Sequence, residues 1–276
     1  MLVRLPYKGS IMICPKCKQK LTRFSAVYSC PSGHSFDIAK EGYANLLLAN
    51  KKNSQFPGDN KEMVASRVAF LNKGYYLPLA DAVARVILDM GKRQINVLDA
   101  GCGVGYYSKH LKNFLKDKVN IIGIDISKFA VAKAAKSDKE SSYFVGSIFD
   151  LPIEDKSQDV ILNIFSPRSP DEFKRVLSDD GIIIQVLPGK KHLIELKEAL
   201  YGRDTYENEI EFSYDGFALK DKHFVSSKIC LGNEDLMNVF SMTPYLYKTK
   251  VEDIEKLKKI DKIELTIDFV VAIWGK

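Results

Sequence analysis

The feature of the sequence that most constrains its fold is a glycine-rich turn directly after a short apolar stretch. Ile95–Leu98 is followed by Asp99, and three glycines come next, at Gly101, Gly103 and Gly105. A buried strand, an acidic residue at its carboxyl end and a glycine-rich turn into a helix form the start of a nucleotide-binding βαβ unit. The sequence therefore predicts an α/β protein with a parallel sheet.

The spacing of the glycines favours S-adenosylmethionine over a dinucleotide. Tyr106 stands where G-x-G-x-x-G has its third glycine, and the loop lacks a P-loop lysine. S-adenosylmethionine has no phosphate and carries a sulfonium and an ammonium, so it is suited to a carboxylate near the loop. We therefore expect Asp99 to bind this cofactor, next to the glycine turn that contains Gly101 and Gly103.

Two later segments predict the ribose and adenine ends of the same site. Asn120–Ile124 is apolar and leads to Asp125, the position that hydrogen-bonds ribose hydroxyls in this architecture. Asp125 is therefore the predicted ribose ligand. Tyr143–Gly146 is a third strand that should approach the adenine. Many methyltransferases have an acid after it, where this chain has Ser147, so adenine recognition there stays open.

The acceptor should meet the methyl group at a fourth predicted strand and the loop beyond it, which together span Asp159–Pro167. A substrate wall with Phe165 as a stacking surface and a plain buried strand end explain this segment equally well. His192 lies at a loop-to-helix junction that faces the same crevice, although a lone histidine is more often structural. Asp171 and Glu172 are candidate bases, but an exposed helix start also explains them. No catalytic residue is assigned.

Four potential metal ligands lie near the amino terminus, at Cys14, Cys17, Cys30 and His34. The Cys-x2-Cys and Cys-x3-His pairs each place two ligands on one tight turn, and together they match a tetrahedral structural zinc. Free core cysteines would have to produce both spacings by accident. Four protein ligands leave no position for substrate, so the zinc is predicted to be structural. We expect chelation to unfold residues 12–45 and weaken substrate binding while the rest stays folded.

Positive charge is concentrated in the same part of the chain. Residues 1–60 carry nine Lys and Arg against three Asp and Glu, so their net charge equals the +6 of the whole chain. This favours a polyanion such as RNA as partner, although a solvated surface would also explain it. The polar stretch that begins at Lys51 marks a boundary. The predicted domains are therefore a zinc-binding, RNA-recognising domain over residues 1–50 and a methyltransferase domain over residues 51–276.

Composition narrows the class of protein. A chain of 276 residues with 46% apolar and 28% charged residues is not a disordered protein. Its apolar runs are shorter than the roughly 18 residues that a membrane span needs, and the start has no recognisable signal peptide. Five cysteines, an odd number, indicate a reducing compartment. We expect a cytoplasmic protein with no membrane partner.

Several motifs together resemble the RlmA family of 23S ribosomal RNA (guanine-N1)-methyltransferases. The resemblance covers essentially the whole chain from about Met12. The motifs that carry it are the Cys/His set, Phe36–Leu46, Pro57–Asp59, Arg67, Gly74–Tyr76, Asp99–Tyr107, Pro188–Leu193 and Met242–Pro244. The resemblance implies a class I, Rossmann-like methyltransferase with a seven-stranded mixed sheet and a small amino-terminal zinc-ribbon domain that recognises RNA.

The resemblance also implies a substrate and further cofactor contacts. It places Tyr76, Gly103, Val104 and His192 on the cofactor. Family members often have a glutamate at the position of Val104, so only the backbone of this residue is expected to serve. The implied substrate is guanine N1 in a hairpin loop of domain II of 23S rRNA, beside the macrolide-binding exit tunnel, with an effect on macrolide sensitivity as a corollary. The choice among neighbouring guanines and the oligomeric state stay open, a homodimer being one option.

The residues by themselves are also compatible with other functions. The same machinery could methylate a transfer RNA or a small molecule. A protein of a different class would be a non-catalytic zinc module that binds RNA and uses the body as a platform. Cofactor binding without methyl transfer to any RNA would favour that last alternative.

Overall fold

The computed structural model describes residues 11–49, 57–202 and 209–276. Residues 11–49, here called the zinc region, contain a small antiparallel sheet in the order β1-β2-β3. Its strands are β1 (Thr22–Phe24), β2 (Val27–Ser29) and β3 (Ser35–Asp37). Every side chain of these strands is exposed or half-buried. Such a sheet buries too little apolar surface to be stable by itself.

The larger sheet has eight strands within the described residues, in the order β10-β11-β9-β8-β5-β6-β7-β4. Their bounds are β4 (Ala44–Asn45), β5 (Ile95–Ala100), β6 (Val119–Asp125), β7 (Ser142–Val145), β8 (Gln158–Ile164), β9 (Leu177–Pro188), β10 (Ala218–Gly232) and β11 (Lys262–Gly275). The strands from β4 to β9 pair in parallel, whereas β11 pairs antiparallel with both β9 and β10. Strands β5 to β11 confirm the predicted seven-stranded mixed sheet, and β4 adds a two-residue strand from the zinc region.

Helices cover both faces of this sheet. The helices of the described residues are α1 (Lys61–Asn72), α2 (Leu77–Asp89), α3 (Tyr106–Leu115), α4 (Lys128–Ser137), α5 (Pro170–Val176), α6 (Ile194–Tyr201), α7 (Asn233–Ser241) and α8 (Val251–Lys258). The sequence predicts a capping box with Asp59 as the N-cap of α1. That prediction is wrong, because Asn60 accepts the hydrogen bond from the Met63 N–H and Asp59 instead pairs with Arg67.

The centre of the sheet forms the core. Val97 and Leu98 of β5 are fully buried, as expected for a strand covered on both faces. Helix α2 adds Val83 and Ile87, also fully buried and four residues apart on one helix face. Strand β5 lies between β8 and β6, so the strand order reverses there. The carboxyl ends of these three strands therefore border the crevice where ligands of open α/β sheets bind.

The zinc region makes backbone hydrogen bonds to residues 144–154 of the body, and Lys139 Nζ donates to the carbonyl of Glu41 at 2.7 Å. The N–H of Ile13 donates to the carbonyl of Pro152 at 2.9 Å, and the N–H of Glu154 donates to the carbonyl of Ile11 at 2.8 Å. Lys18 forms an ion pair with Asp150 at 2.7 Å. Strand β4 pairs in parallel with β7 in the same stretch. Both backbone and side chains thus connect the two parts.

The predicted domain boundary, between residues 50 and 51, lies outside the described residues and stays a prediction. No helix in the described ranges combines the length and the apolar character needed to cross a bilayer.

Candidate active site and zinc centre

A cavity of about 320 Å³ opens at the carboxyl ends of β5, β6 and β8. Asp99, Gly101 and Gly103 line it from β5 and the following turn, and Asp125 lines it from the end of β6. Phe165 lines it from the end of β8. The structure therefore brings together the residues predicted at three separate strand ends.

Asp99 is the most deeply buried acid of the cavity, with 2% of its surface exposed. Burial raises the pKa of Asp99 to about 7, against the hydrogen bond from Ser108, whose hydroxyl donates to its Oδ2 at 2.6 Å. A negative charge is costly in this position unless a cation compensates it. The site is therefore suited to a positively charged ligand group.

Asp125 holds the glycine-rich turn in place. Its Oδ2 accepts the N–H of Gly103 at 2.9 Å, and its Oδ1 accepts the N–H of Ser127 at 2.8 Å. Burial raises the pKa of Asp125, although both backbone donors favour the charged form. Each carboxylate oxygen has a second lone pair. The backbone contacts are therefore compatible with the predicted ribose hydrogen bonds.

Two glycines of the turn allow neighbouring segments to pack closely against it. Gly101 has a φ of +84°, and a Cβ there would collide with the side chain of Ser166. Gly105 has a φ of +74°, and a Cβ there would lie 2.8 Å from the Cβ of Ala134. Both positions require a residue without a side chain. The turn thus approaches the β8 loop and α4 more closely than any other residue type would allow.

An aromatic cluster borders the cavity beyond the glycine turn. The ring of Phe269 on β11 lies 5.0 Å from the ring of Tyr76, 5.4 Å from that of Phe165 and 4.5 Å from that of His192, between centroids. Tyr76 and Phe165 line the cavity, and Phe165 is 46% exposed. Sequence reasoning missed Phe269. The alternation of apolar residues in β11 could have indicated its face, but not its neighbours.

His192 contacts Phe269 of this cluster and is not among the residues that line the cavity. The N–H of Asp268 donates to Nδ1 of His192 at 3.3 Å, so the ring proton belongs on Nε2. Burial lowers the pKa of His192 to about 3, so the ring is neutral at physiological pH. Its predicted contact with the cofactor stays a prediction, and any such contact would use Nε2–H as donor.

The two candidate bases lie elsewhere. Glu172 accepts the N–H of Leu151 at 2.6 Å and pairs with Arg175 at 2.7 Å, and neither it nor the exposed Asp171 lines the cavity. The loop after β8 is held by Asn163, whose Nδ2 donates to the Ser166 hydroxyl at 2.6 Å. Glu172 therefore holds the segment at Leu151 and the side chain of Arg175, and Asn163 holds the loop after β8.

The four predicted metal ligands meet in one cluster in the zinc region. Nδ1 of His34 lies 3.5 Å from both Cys14 Sγ and Cys30 Sγ, and Cys17 Sγ lies 3.6 Å from Cys30 Sγ. All four ligand atoms lie within 4.8 Å of one another. Ligand atoms around a tetrahedral zinc are about 3.5 to 3.8 Å apart. The cluster therefore fits a zinc ion with four protein ligands.

Comparison with known proteins assigns the chain to a family. The family model for the RlmA N-terminal zinc ribbon matches residues 12–55, and a methyltransferase-domain model matches residues 92–241. The 23S rRNA (guanine(748)-N(1))-methyltransferase of Streptomyces fradiae is 30% identical over 271 residues, which cover 94% of this chain and 95% of the relative. The chain belongs to the RlmA family of methyltransferases.

A second relative supports the same assignment over the full length. YxjB of Bacillus subtilis (strain 168) is 30% identical over 281 residues, covering 97% of this chain and 98% of the relative. The predicted family, the class I fold, the dependence on S-adenosylmethionine and the structural zinc are thereby confirmed. The individual site residues stay predictions.

The cavity fits S-adenosylmethionine on the chemistry of its lining. Asp59, Asp99 and Asp125 offer negative charge for the sulfonium and ammonium groups, and Arg67 offers positive charge for the carboxylate. The hydroxyl of Tyr107, which also lines the cavity, is buried and has no hydrogen-bond partner among the described residues. A ligand that brings an acceptor would satisfy it. Asp59 and Tyr107 are further residues that sequence reasoning missed.

Proposed function

We propose that the protein methylates N1 of a guanine in a hairpin loop of domain II of 23S rRNA, with S-adenosylmethionine as methyl donor. One observation carries this proposal. A Cys3His zinc region and a carboxylate-lined methyltransferase cavity stand side by side in a chain that matches the Streptomyces fradiae 23S rRNA (guanine(748)-N(1))-methyltransferase over 94% of its length. A transfer RNA or small-molecule methyltransferase would not account for the matched zinc ribbon.

The zinc region supplies the RNA contact in this proposal. Cys14, Cys17, Cys30 and His34 hold the zinc and thereby the hairpin of β1 and β2. This hairpin presents Arg23 to solvent, next to Phe24, which is 63% exposed. A cation beside an exposed aromatic ring is suited to the phosphates and unstacked bases of an RNA loop.

The cavity binds and orients the reacting groups. S-adenosylmethionine supplies an electrophilic methyl group on its sulfonium when bound. Asp99 and Asp125 provide negative charge and hydrogen-bond acceptors at adjoining strand ends. Phe165 offers an exposed ring on which an extruded guanine can stack. Positioning of this kind can supply much of a rate enhancement.

Guanine N1 carries a proton that must leave before or during methyl transfer. The three carboxylates of the cavity already have partners: Asp59 pairs with Arg67, Asp99 accepts from Ser108 and Asp125 accepts from two backbone amides. Glu172 is engaged with Arg175 away from the cavity. We therefore assign no side chain as general base and attribute catalysis to positioning and electrostatics.

Primer extension on 23S rRNA tests the substrate. In a strain that lacks the gene, we expect the stop at one domain II guanine to disappear and to return when the gene is restored. The Asp99→Ala variant is the matched control and should not restore it. Methyl transfer to transfer RNA, with none to the domain II hairpin, would move the substrate assignment.

Several finer statements belong to the same proposal. Residues 1–50 would recognise RNA and residues 51–276 would carry the transferase, in the cytoplasm. A homodimer is one proposed assembly, which sedimentation at micromolar concentration would test. An effect on macrolide sensitivity would appear as a changed inhibitory concentration in the deletion strain.

A further inference from the structure

We propose that Arg67 and Tyr107 form a subsite for the α-carboxylate of S-adenosylmethionine and make the protein selective for cofactors that carry it. The proposal rests on the cofactor assignment and is independent of the RNA that is methylated. It extends the cofactor site beyond the strand-end acids and the glycine turn.

The charges of the cavity lining give the first argument. Among the described residues that line the cavity, Arg67 is the one with a positive charge, whereas three carboxylates face the same space. S-adenosylmethionine has two positive centres and one negative group. The three carboxylates can pair with the sulfonium and the ammonium. Within the described residues, Arg67 is then the one side chain of the lining that can form an ion pair with the α-carboxylate. Placing it next to Asp99 instead would bring two buried negative charges together, at a high electrostatic cost.

Arg67 is held ready for such a contact. Its Nε and Nη2 lie 3.0 Å and 2.9 Å from Oδ2 of Asp59, and its side chain is 23% exposed. Its Cδ lies 3.9 Å from the position that a Cβ on Gly103 would take, so the side chain extends along the glycine turn. A guanidinium has five N–H donors in a planar arrangement that matches a carboxylate. Contact with Asp59 fixes its orientation while other donors remain in the plane.

Tyr107 supplies the second donor. It lies in the first turn of α3, lines the cavity, and has a buried hydroxyl with no partner among the described residues. Burial raises the pKa of Tyr107 well above its usual value, with the neighbouring Tyr76 adding to the effect, so the phenol stays protonated. The positive charge of Arg67 acts on the pKa of the same phenol in the opposite direction, and both side chains line the same cavity. A buried donor without an acceptor is costly, and a carboxylate between these groups would remove that cost.

A phosphate of the RNA substrate is the competing partner for Arg67. The side chain of Arg67 is 23% exposed, which leaves the guanidinium accessible to a phosphate. The side chain is mostly buried and flanked by Asp59, which disfavours a strand of closely spaced phosphates. This alternative makes a different prediction, because loss of Arg67 would then weaken RNA binding and leave cofactor affinity unchanged.

Calorimetric titration of the full-length, zinc-loaded protein tests the proposal without any RNA. The two ligands are S-adenosylmethionine and decarboxylated S-adenosylmethionine, which lacks only the α-carboxylate. We expect Arg67→Gln to lower the affinity for the complete cofactor about 10-fold to 100-fold, and Tyr107→Phe about 5-fold to 10-fold. Both variants should change the affinity for the decarboxylated ligand less than about threefold. Selectivity for the carboxylate is thus the quantity that each variant should lose.

Matched controls separate this effect from general damage. Lys109→Gln removes a positive charge from the exposed side of α3, and Tyr201→Phe removes a hydroxyl from an exposed tyrosine. Both should bind the two ligands as the unaltered protein does. Melting temperatures without ligand report whether Arg67→Gln still folds, and Arg67→Lys, which keeps the charge, should give an intermediate loss.

Two results would overturn the proposal. The first is an equal loss of affinity for both ligands. The second is an unchanged affinity for S-adenosylmethionine, which together with a weaker RNA interaction would assign Arg67 to a phosphate. If the unaltered protein binds neither ligand, the proposal falls together with the cofactor assignment. A failure of the ribosomal substrate assignment alone would leave the predicted selectivity intact.

Discussion

The zinc region and the cofactor cavity are held in shape by different forces. Strand β1 of the zinc region has no buried side chain, and the four metal ligands lie on the turns before β1 and after β2, so we expect the small sheet to depend on the metal. Strand β5 beside the cavity is almost entirely buried, and its glycine turn is fixed by close packing. The zinc region should therefore be sensitive to loss of a ligand, whereas the cavity should be sensitive to added volume and to charge.

The two regions nevertheless share one wall. Gly146–Phe149 line the cavity, and the zinc region makes backbone hydrogen bonds to Pro152 and Glu154 a few residues further on. Strand β4 of the zinc region also pairs with β7, which leads directly into this wall. The structure thus connects metal binding to the end of the cavity where the adenine is predicted to bind.

Removal of the zinc should have the largest effect. We expect chelation to abolish hydrogen-exchange protection across residues 11–49, because structural zinc contributes about 10 kcal/mol or more to folding. We also expect cofactor affinity to fall about tenfold, because the shared wall loses its backbone hydrogen bonds. Calorimetry before and after chelation, and after zinc is returned, measures this. An unchanged affinity would show that the two regions are independent.

A side chain added at the glycine turn should have the second-largest effect. Gly101→Ala places a methyl group against Ser166 and forces a left-handed backbone on alanine, so we expect the free energy of unfolding to fall by about 3 kcal/mol or more and cofactor binding to be lost. Gly91→Ala is the matched control: its φ is +66°, and no atom lies within 4 Å of the added Cβ. It should lose only about 1 kcal/mol, from backbone strain. Equal melting temperatures for the two variants would contradict the packing argument.

The charge of Asp99 should make cofactor binding at the cavity depend on pH. Its folded pKa of about 7 lies above the unfolded value, so the folded protein binds the extra proton. Ionisation of Asp99 therefore lowers stability as pH rises from about 4 to 7, while affinity for the positively charged cofactor rises through about pH 7. Asp99→Asn should flatten both profiles in titrations between pH 5.5 and 8.5. A profile unchanged by the substitution would assign the titration to another group.

The smallest effect should come from the exposed ion pair between the regions. Lys18 is 50% exposed and its partner Asp150 is 26% exposed, so their contact contributes less than about 1 kcal/mol. We expect Lys18→Ala to change cofactor affinity less than about threefold, close to the result for Lys133→Ala on the exposed side of α4. A loss as large as that caused by chelation would mean that this ion pair, and not the backbone hydrogen bonds, connects the two regions.

Residues that lie together in the sequence were predictable. The glycine turn, Asp99 and Asp125 follow from strand ends and their order, and the zinc cluster follows from two short spacings on tight turns. The fold class follows from the same alternation of strands and helices. Each of these features is set by local geometry.

Contacts between distant segments were not predictable in the same way. Phe269 meets Tyr76 through the packing of β11 against the start of α2, nearly 200 positions apart in the chain. Asp59 reads as a helix cap, but its carboxylate pairs with Arg67 once α1 stands over the cavity. The partnerless hydroxyl of Tyr107 is a property of the packed structure alone. Such features need the positions of side chains from several elements at once.

Nucleoside analysis of a domain II hairpin RNA, incubated with S-adenosylmethionine and the purified protein, tests the central claim most directly. The account predicts 1-methylguanosine at one loop position with the unaltered protein and none with Asp99→Ala, although that variant keeps its zinc and its fold. Equal methylation by both proteins, or a methyl group on any other atom, would contradict it.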